Sequence, residues 1–311
     1  MSSLLPPPDH NNPAIVQVPL RRSKSDAGGA FCWHETSDLV AAESPLTLRV
    51  EGHAVAVVMR TPGHDRELAA GFLLTEGILQ TARDVFEISP CPSLQKDTES
   101  ILLDSLAVGE PDAAGVPSGD SLDVLLANPS AFDPGQLTRH VFTSSSCGIC
   151  SKTSLTTAIP PGRILTPAAD PLITAVDLAG LPEQLRTAQP AFAATGGLHG
   201  CALWDAARRE LVPGFLFEDV GRHNALDKLL GHALLTGRLP LTHGLLLLSG
   251  RISFELVQKA HTASVPLIAA VGAPSSLAIS YAEAAGITLC GFVRTDRFNV
   301  YTHPSRIQLH R

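Results

Sequence analysis

The chain has 311 residues, of which 44% are hydrophobic and 17% are charged. This composition is typical of a folded, soluble protein and excludes a chain with too few apolar side chains to build a core. A formal net charge of −7 argues against nucleic acid as the main partner. The sequence contains no run of 18 apolar residues, so we predict no membrane span.

The start of the chain lacks the basic-then-apolar order of a signal peptide, so we expect a cytoplasmic protein. Residues 1–30 are predicted to be a disordered tail. The length allows two domains, a smaller α+β domain over 31–140 and a C-terminal domain over 141–311. Within the first domain, residues 90–120 hold four prolines and are predicted to form a variable loop.

The first predicted elements are a β-hairpin and a helix. Apolar and polar residues alternate over 46–50 and 54–60 on either side of a Glu51-Gly52-His53 turn, which is typical of two paired strands. Asp65 is positioned to cap a helix that continues to residue 74. A further strand is predicted over 122–127.

The C-terminal part alternates strands and helices. Continuous apolar runs of strand length occupy 244–249, 266–271 and 287–293, and helical patterns occupy 252–263 and 276–285 between them. Uniformly apolar strands separated by helices indicate parallel strands that are covered on both faces. We therefore predict an α/β domain with a mostly parallel or mixed sheet.

The carboxyl ends of these three strands predict a ligand site. Ligands of open α/β sheets bind beyond these ends, where helix N-termini offer free N–H groups to anions. The ends contain Gly272, which permits close approach, and three arginines that suit phosphate, Arg251, Arg294 and Arg297. A phosphorylated or nucleotide-like ligand fits this pattern.

A pair of cysteines indicates sulfur chemistry. Cys147 and Cys150 follow a run of small hydroxyl residues at 143–146, and Lys152 lies just beyond them. A thiol beside a cation has a lowered pKa and is nucleophilic as the thiolate. Dithiol redox chemistry and two unreactive loop cysteines are the alternatives to a reactive thiol.

No zinc is predicted at this pair. A zinc site needs about four ligands, and zinc deaminases place His-x-Glu before Pro-Cys-x-x-Cys. Here His199 lies after the pair without the Glu, and Ser146 replaces the Pro. The remaining cysteines stand alone and are interpreted as small buried hydrophobic residues: Cys32, Cys91, Cys201 and Cys290.

The segment 219–223 places an acid, a glycine, a cation and an imidazole just before a predicted helix. One interpretation is a capped helix start with a pair between Asp219 and Arg222. The other is that Arg222 or His223 lowers the pKa of a thiol or contacts an anionic ligand. His199, in a Gly-rich turn, fits either a buried hydrogen-bonding role or a role in the site.

Taken together, the motifs resemble those of FdhD, the formate dehydrogenase accessory sulfurtransferase family, over residues 38–311. The segments that carry the resemblance are 143–150, 195–199, 218–228 and 249–253, with 71–77, 273–277 and 301–304 in support. One departure is Ser151, where the family usually has glycine after the cysteine pair.

The resemblance implies a cytoplasmic sulfurtransferase that works as a homodimer. Its Cys147 would take sulfur from a cysteine desulfurase as a persulfide, with Cys150 as the partner thiol. The sulfur would pass to the molybdenum cofactor, bis-molybdopterin guanine dinucleotide, which then activates a molybdenum-dependent formate dehydrogenase. The alternatives are a chaperone that binds this cofactor without transferring sulfur and a dithiol redox protein.

The resemblance also implies a fold and a cofactor site. The C-terminal domain resembles the cytidine-deaminase-like fold without its zinc chemistry. The family's cofactor-binding segment corresponds to Phe292, Val293, Arg294, Thr295, Asp296 and Arg297. We expect Arg251 and Gly272 to complete that site at the neighbouring strand ends.

Overall fold

The protein is described by a computed structural model that covers residues 12–26, 28–91, 120–133, 164–165 and 171–309. Most of the predicted loop over 90–120 lies outside these residues. Cys147 and Cys150 also lie outside them, so the structure does not test their predicted chemistry.

The chain begins with a long antiparallel hairpin. Strand β1 (Ile15–Ser25) pairs residue by residue with β2 (Phe31–Ala41), and most of their side chains are exposed. The prediction of a disordered tail over 1–30 is therefore wrong for β1. Strand β2 supplies hydrogen-bond partners for the backbone groups of β1 that face it. The apolar alternation of β1 is short, at Val16, Val18 and Leu20, and the basic residues Arg21, Arg22 and Lys24 follow it.

A four-stranded sheet follows, in the order β4-β3-β6-β5. Its strands are β3 (Ser44–Val50), β4 (His53–Arg60), β5 (Val85–Pro90) and β6 (Asp120–Leu126). The predicted hairpin is confirmed as β3 and β4, and the predicted strand over 122–127 is confirmed as β6.

Helix α1 (Asp65–Thr75) is confirmed as well, but Asp65 does not cap it. The N-cap residue is His64, and the Asp65 carboxylate accepts two hydrogen bonds from the buried guanidinium of Arg60, at 2.8 and 2.9 Å. A buried guanidinium without a carboxylate partner costs more free energy than an uncapped N–H group at an exposed helix end, so Asp65 pairs with Arg60.

The C-terminal sheet has six strands in the order β13-β12-β11-β10-β8-β9. In chain order, the strands of this sheet are β8 (His199–Asp205), β9 (Glu210–Asp219), β10 (Gly244–Leu248), β11 (Leu267–Ala270), β12 (Thr288–Gly291) and β13 (Asn299–Thr302). A separate pair is formed by the short strands β7 (Ile173–Thr174) and β14 (Ile307–Gln308). Strands β10, β11 and β12 are parallel, as predicted, and the other three pair antiparallel.

Helices cover both faces of this mixed sheet. They are α2 (Ala175–Thr187), α3 (Pro190–Thr195), α4 (Arg222–Leu235), α5 (Phe254–Thr262) and α6 (Ser276–Ala285). Leu245 and Leu247 of β10 pack in the cluster that contains α2, whereas Leu246 and Leu248 pack in the cluster that contains α4, α5 and α6. Within the described ranges, no helix has the length and apolar character needed to cross a membrane.

Helices α1 and α4 cross with their backbones in close contact. A Cβ atom on Gly71 would overlap the carbonyl oxygen of Asp227, and one on Gly231 would overlap that of Glu67. Around this crossing, one buried cluster extends from the four-stranded sheet to the six-stranded sheet. The fold is therefore α/β with a shared core, and the division into domains at residue 140 stays a prediction.

Candidate functional site

The three predicted strand ends lie side by side at one edge of the six-stranded sheet. The backbone N–H of Gly272 donates to the carbonyl of Gly250 at 3.1 Å, and that of Phe292 donates to the carbonyl of Gly272 at 3.0 Å. A Cβ atom on Gly272 would lie 2.5 Å from the Gly250 oxygen, so only glycine permits this approach. We call this edge, from Gly250 through Gly272 to the segment after Phe292, the rim.

The predicted cofactor segment contributes to the rim unevenly. Phe292 has a positive φ of 53° and 43% of its side chain is exposed. Val293, in contrast, is fully buried in the core, and its backbone N–H and carbonyl are already bonded to Ala270 and Arg294. Thr295, Asp296 and Arg297 are exposed.

The side chains of Arg294 and Arg297 differ in the hydrogen bonds and ion pairs that they already form. One guanidinium nitrogen of Arg294 donates to the carbonyls of Val271 and Val293, at 2.8 and 2.7 Å. This side chain therefore ties neighbouring strand ends together. Arg297 is exposed and contacts only the exposed carboxylate of Asp296 among the described residues, at 3.3 Å. Arg297 is the freer of the two for a ligand.

The structure adds residues to the rim that the strand pattern did not reveal. Strand β8 lies beside β10 and runs antiparallel to it, so its first residue, His199, lies at the same edge. Strand β9 ends there too, and α4 then begins at Arg222. A Cβ atom on Gly250 would lie 3.2 Å from Nδ1 of His199 and 3.9 Å from Cδ of Arg222. Both side chains therefore flank the end of β10.

The electrostatic character of this end of the rim is positive. Burial lowers the pKa of His199, and the positive charges of Arg222, Arg251 and His223 lower that pKa further, against a smaller opposite effect of Asp219. Three basic groups therefore act on one imidazole. The neutral form of His199 is the favoured one at neutral pH.

His223 forms a compact group with two residues of the next helix start. Its Nε2 lies 3.0 Å from a Glu255 carboxylate oxygen and 3.1 Å from the Ser253 hydroxyl. Burial alone would raise the pKa of Glu255, but that pKa is lowered by the hydrogen bond and charge of His223 together with the Ser253 hydrogen bond and the charge of Arg222. The acid and the hydroxyl share one ring nitrogen, so the group lacks the geometry of a nucleophilic triad.

Asp219 pairs with Lys228 and not with Arg222. The Asp219 carboxylate lies 2.7 Å from Nζ of Lys228, and both side chains are almost completely buried. The other Asp219 oxygen accepts hydrogen bonds from the backbone N–H of Gly221 and from Asn224. The predicted Asp219–Arg222 pair is therefore wrong, and Arg222 is left facing the rim.

The isolated cysteines divide into two groups. Cys201 and Cys290 are buried, as predicted, and burial raises the pKa of both thiols, to about 12 for Cys290. The prediction is wrong for Cys32, which is exposed on β2, and for Cys91, which is half-buried. In the part of the chain that the structure describes, no three His, Cys, Asp or Glu side chains are grouped closely enough to hold a metal ion.

Comparison with known proteins gives consistent matches over nearly the whole chain. The model of the FdhD/NarQ family matches residues 41–308. A Mycolicibacterium paratuberculosis protein named "Sulfur carrier protein FdhD" is 46% identical over 295 residues, which cover 94% of this chain and 100% of that protein. A Streptomyces avermitilis protein of the same name is 43% identical over 273 residues, covering 88% and 90% of the two chains.

A solved structure shows the same similarity. The crystal structure described as a formate dehydrogenase accessory protein from Desulfotalea psychrophila has a TM-score of 0.64 and is 25% identical to this chain. The match covers 94% of this chain and 99% of the other.

Proposed function

The chain belongs to the FdhD/NarQ family, and on this premise we propose that it is a sulfur carrier whose Cys147 holds sulfur as a persulfide. The observation that carries the proposal is the similarity, over the full length of the relative, to a protein named as a sulfur carrier. In this proposal a cysteine desulfurase supplies the sulfur. The acceptor is the molybdenum cofactor, bis-molybdopterin guanine dinucleotide, on its way to formate dehydrogenase.

Loading of Cys147 needs no oxidant. The Cys147 thiolate would attack the terminal sulfur of the donor's persulfide, and the donor cysteine would leave as a thiolate while its S–S bond breaks. Buried thiols with raised pKa cannot perform this attack readily, which disfavours Cys201 and Cys290. Lys152, close to the pair in sequence, would favour the thiolate of Cys147.

The cofactor is the substrate in this proposal, and the rim is its proposed site. The exposed face of Phe292 is available to a base, and Arg251 and Arg297 are exposed for phosphate. Gly272 keeps the neighbouring strand ends close together. Zinc has no role in this proposal. We also propose that the protein is a homodimer and that residues 141–311 have a cytidine-deaminase-like fold.

The proposed substrate site predicts that the rim binds GDP, as a fragment of the cofactor. Replacing an exposed arginine that contacts phosphate should weaken GDP binding about ten- to a hundredfold. We expect this result for Arg297→Ala in isothermal titration calorimetry. Arg294→Ala should weaken binding too, but it also removes two hydrogen bonds that hold strand ends.

The matched control is Arg186→Ala, which removes an exposed arginine of α2 that pairs with Glu183. This variant should bind GDP like the unmodified protein. If Arg297→Ala and Arg294→Ala both fold and bind GDP as tightly as the control, the segment is not the guanine site. A separate assay of persulfide on Cys147 tells whether the carrier function stands without that site.

A further inference from the structure

Four basic residues gather at the end of the rim opposite Phe292. His199 begins β8, Arg222 and His223 begin α4, and Arg251 follows β10. Their mutual proximity is visible in the charges that act on His199 and in the short distances from a Cβ atom placed on Gly250 to both His199 and Arg222. We call these four residues the basic cluster.

Neither arginine of the basic cluster lies within ion-pair distance of an acid among the described residues, although the charge of Arg222 contributes to the lowered pKa of Glu255. Neither Arg222 nor Arg251 forms an ion pair or a side-chain hydrogen bond there, and the Nε atom of Arg222 is buried without an acceptor. Two acids whose charges act on this group are already engaged, since Glu255 binds His223 and Asp219 binds Lys228. A buried cationic donor without a partner is unfavourable, so this geometry suits an added anion.

The position of the basic cluster matches an elongated ligand. Three strand spacings separate the end of β12 at Phe292 from the start of β8 at His199, by way of β11 and β10. At about 4.8 Å per spacing, the two ends of the rim lie about 14 Å apart. A ligand with an aromatic base at one end and an acidic group at the other could span this length.

The chemistry of the donors favours a phosphoryl group over a carboxylate. Arginine presents several N–H donors in a planar fork, and two arginines with an imidazole can contact more oxygens than a carboxylate carries. Two positive charges without an ion-pair partner among the described residues also suit a group that carries about two negative charges.

We propose that the basic cluster is an anion site at the far end of the rim, in which Arg222 and His199 join Arg251 in binding a phosphoryl group. The inference rests on the proposed function, since it gives that phosphoryl group to the guanine dinucleotide substrate at the end of the rim away from Phe292. His223 is paired with Glu255, so it lines the site and does not itself bind the phosphoryl group.

Calorimetry with pyrophosphate tests the site on the full-length protein. The unmodified protein should bind pyrophosphate, and Arg222→Gln should weaken that binding about ten- to a hundredfold. Arg186→Gln is the control and should leave the affinity unchanged, because Arg186 is exposed on α2 and pairs with Glu183. GDP should displace pyrophosphate if the site takes the phosphates of a nucleotide.

Two further measurements separate a binding site from a purely structural role. Pyrophosphate should raise the pKa of the His199 imidazole, followed by NMR titration, because the added anion offsets the positive charges that lower it. Gly250→Ala should also weaken binding, because the new methyl group would lie 3.2 Å from Nδ1 of His199 and displace the ring without changing any charge.

The proposal is overturned if the unmodified protein does not bind pyrophosphate, if folded Arg222→Gln binds it normally, or if GDP does not displace it. Should Arg222→Gln fail to fold, Arg251→Gln takes its place, because Arg251 is exposed. Persulfide formation on Cys147 of the unmodified protein is scored separately. Its failure would remove the sulfur-carrier function and leave the anion site standing.

Discussion

Lys228 and Asp219 form an ion pair with side-chain exposures of 1% and 0%. Their remaining bonding capacity is used by the protein: Nζ of Lys228 donates to the carbonyl of Thr61 at 2.8 Å, and Asp219 accepts from the N–H of Thr61 at 3.1 Å. A buried pair is tolerated when its charges and hydrogen-bonding groups are satisfied in this way. The pair fixes the start of α4, and thereby Arg222, against the end of β4.

Lys228→Met should destabilise the fold by about 3–5 kcal/mol, because Asp219 would remain buried without its cation. The free energy of unfolding from urea titration measures this loss. Arg186→Met, which breaks an exposed pair with Glu183, is the control and should change stability little. The pair is not a structural requirement if Lys228→Met unfolds at the same urea concentration as the control.

The burial and the partners of individual residues were predictable where they depend on neighbours in sequence. The burial of Cys290 follows from its apolar neighbours in the predicted strand over 287–293. The partner of Asp219 was not predictable, because Arg222 is closer in sequence and only the packing of α4 against β9 brings Lys228 to the carboxylate. The role of Asp65 was missed for the same reason, since it depends on the buried Arg60.

The crossing of α1 and α4 joins the two halves of the core. Gly71 and Gly231 each face the backbone of the opposite helix, so the helices approach more closely than side chains would allow. The sequence predicted both helices. It could not predict which helices meet, because that depends on contacts between distant parts of the chain.

Gly71→Ala should lower the free energy of unfolding by about 3 kcal/mol or more. The added Cβ would overlap a carbonyl oxygen, and a backbone atom cannot rotate away as a side chain can. This cost exceeds the roughly 1 kcal/mol that alanine gains over glycine inside a helix.

The same substitution in α2 provides the control. A Cβ atom on Gly180 would lie 3.8 Å from the nearest atom, Nε2 of Gln184, which is an ordinary contact. Gly180→Ala should therefore be neutral or stabilising by up to about 1 kcal/mol. Equal stability of Gly71→Ala and Gly180→Ala in thermal and urea unfolding would contradict the close crossing.

The hairpin of β1 and β2 shows where element prediction from sequence fails. Its strands pair along their whole length, yet their side chains are mostly exposed, and the apolar alternation of β1 is limited to Val16, Val18 and Leu20. The parallel strands β10, β11 and β12 were predictable because they are almost entirely apolar, Thr288 of β12 being the exception, which reflects burial on both faces.

Across the whole molecule, the rim combines residues from distant parts of the chain. The ends of β10, β11 and β12 were predictable because parallel strands with intervening helices bring their carboxyl ends to one edge. His199 and Arg222 were not placed there, because β8 and β9 are antiparallel neighbours of β10 and chain order does not reveal that position. The basic residues at this end of the rim are therefore brought together by the order of the strands in the sheet, which the sequence does not reveal.

The central claim, that Cys147 carries transferable sulfur, is tested most directly by mass spectrometry after incubation with a cysteine desulfurase and cysteine. We expect the intact protein to gain the mass of one sulfur atom, to lose it on treatment with a thiol reductant, and to carry it on the peptide that contains Cys147. Cys147→Ser should gain none. A sulfur atom that maps to another cysteine, or that loads equally on Cys147→Ser, would contradict the assignment.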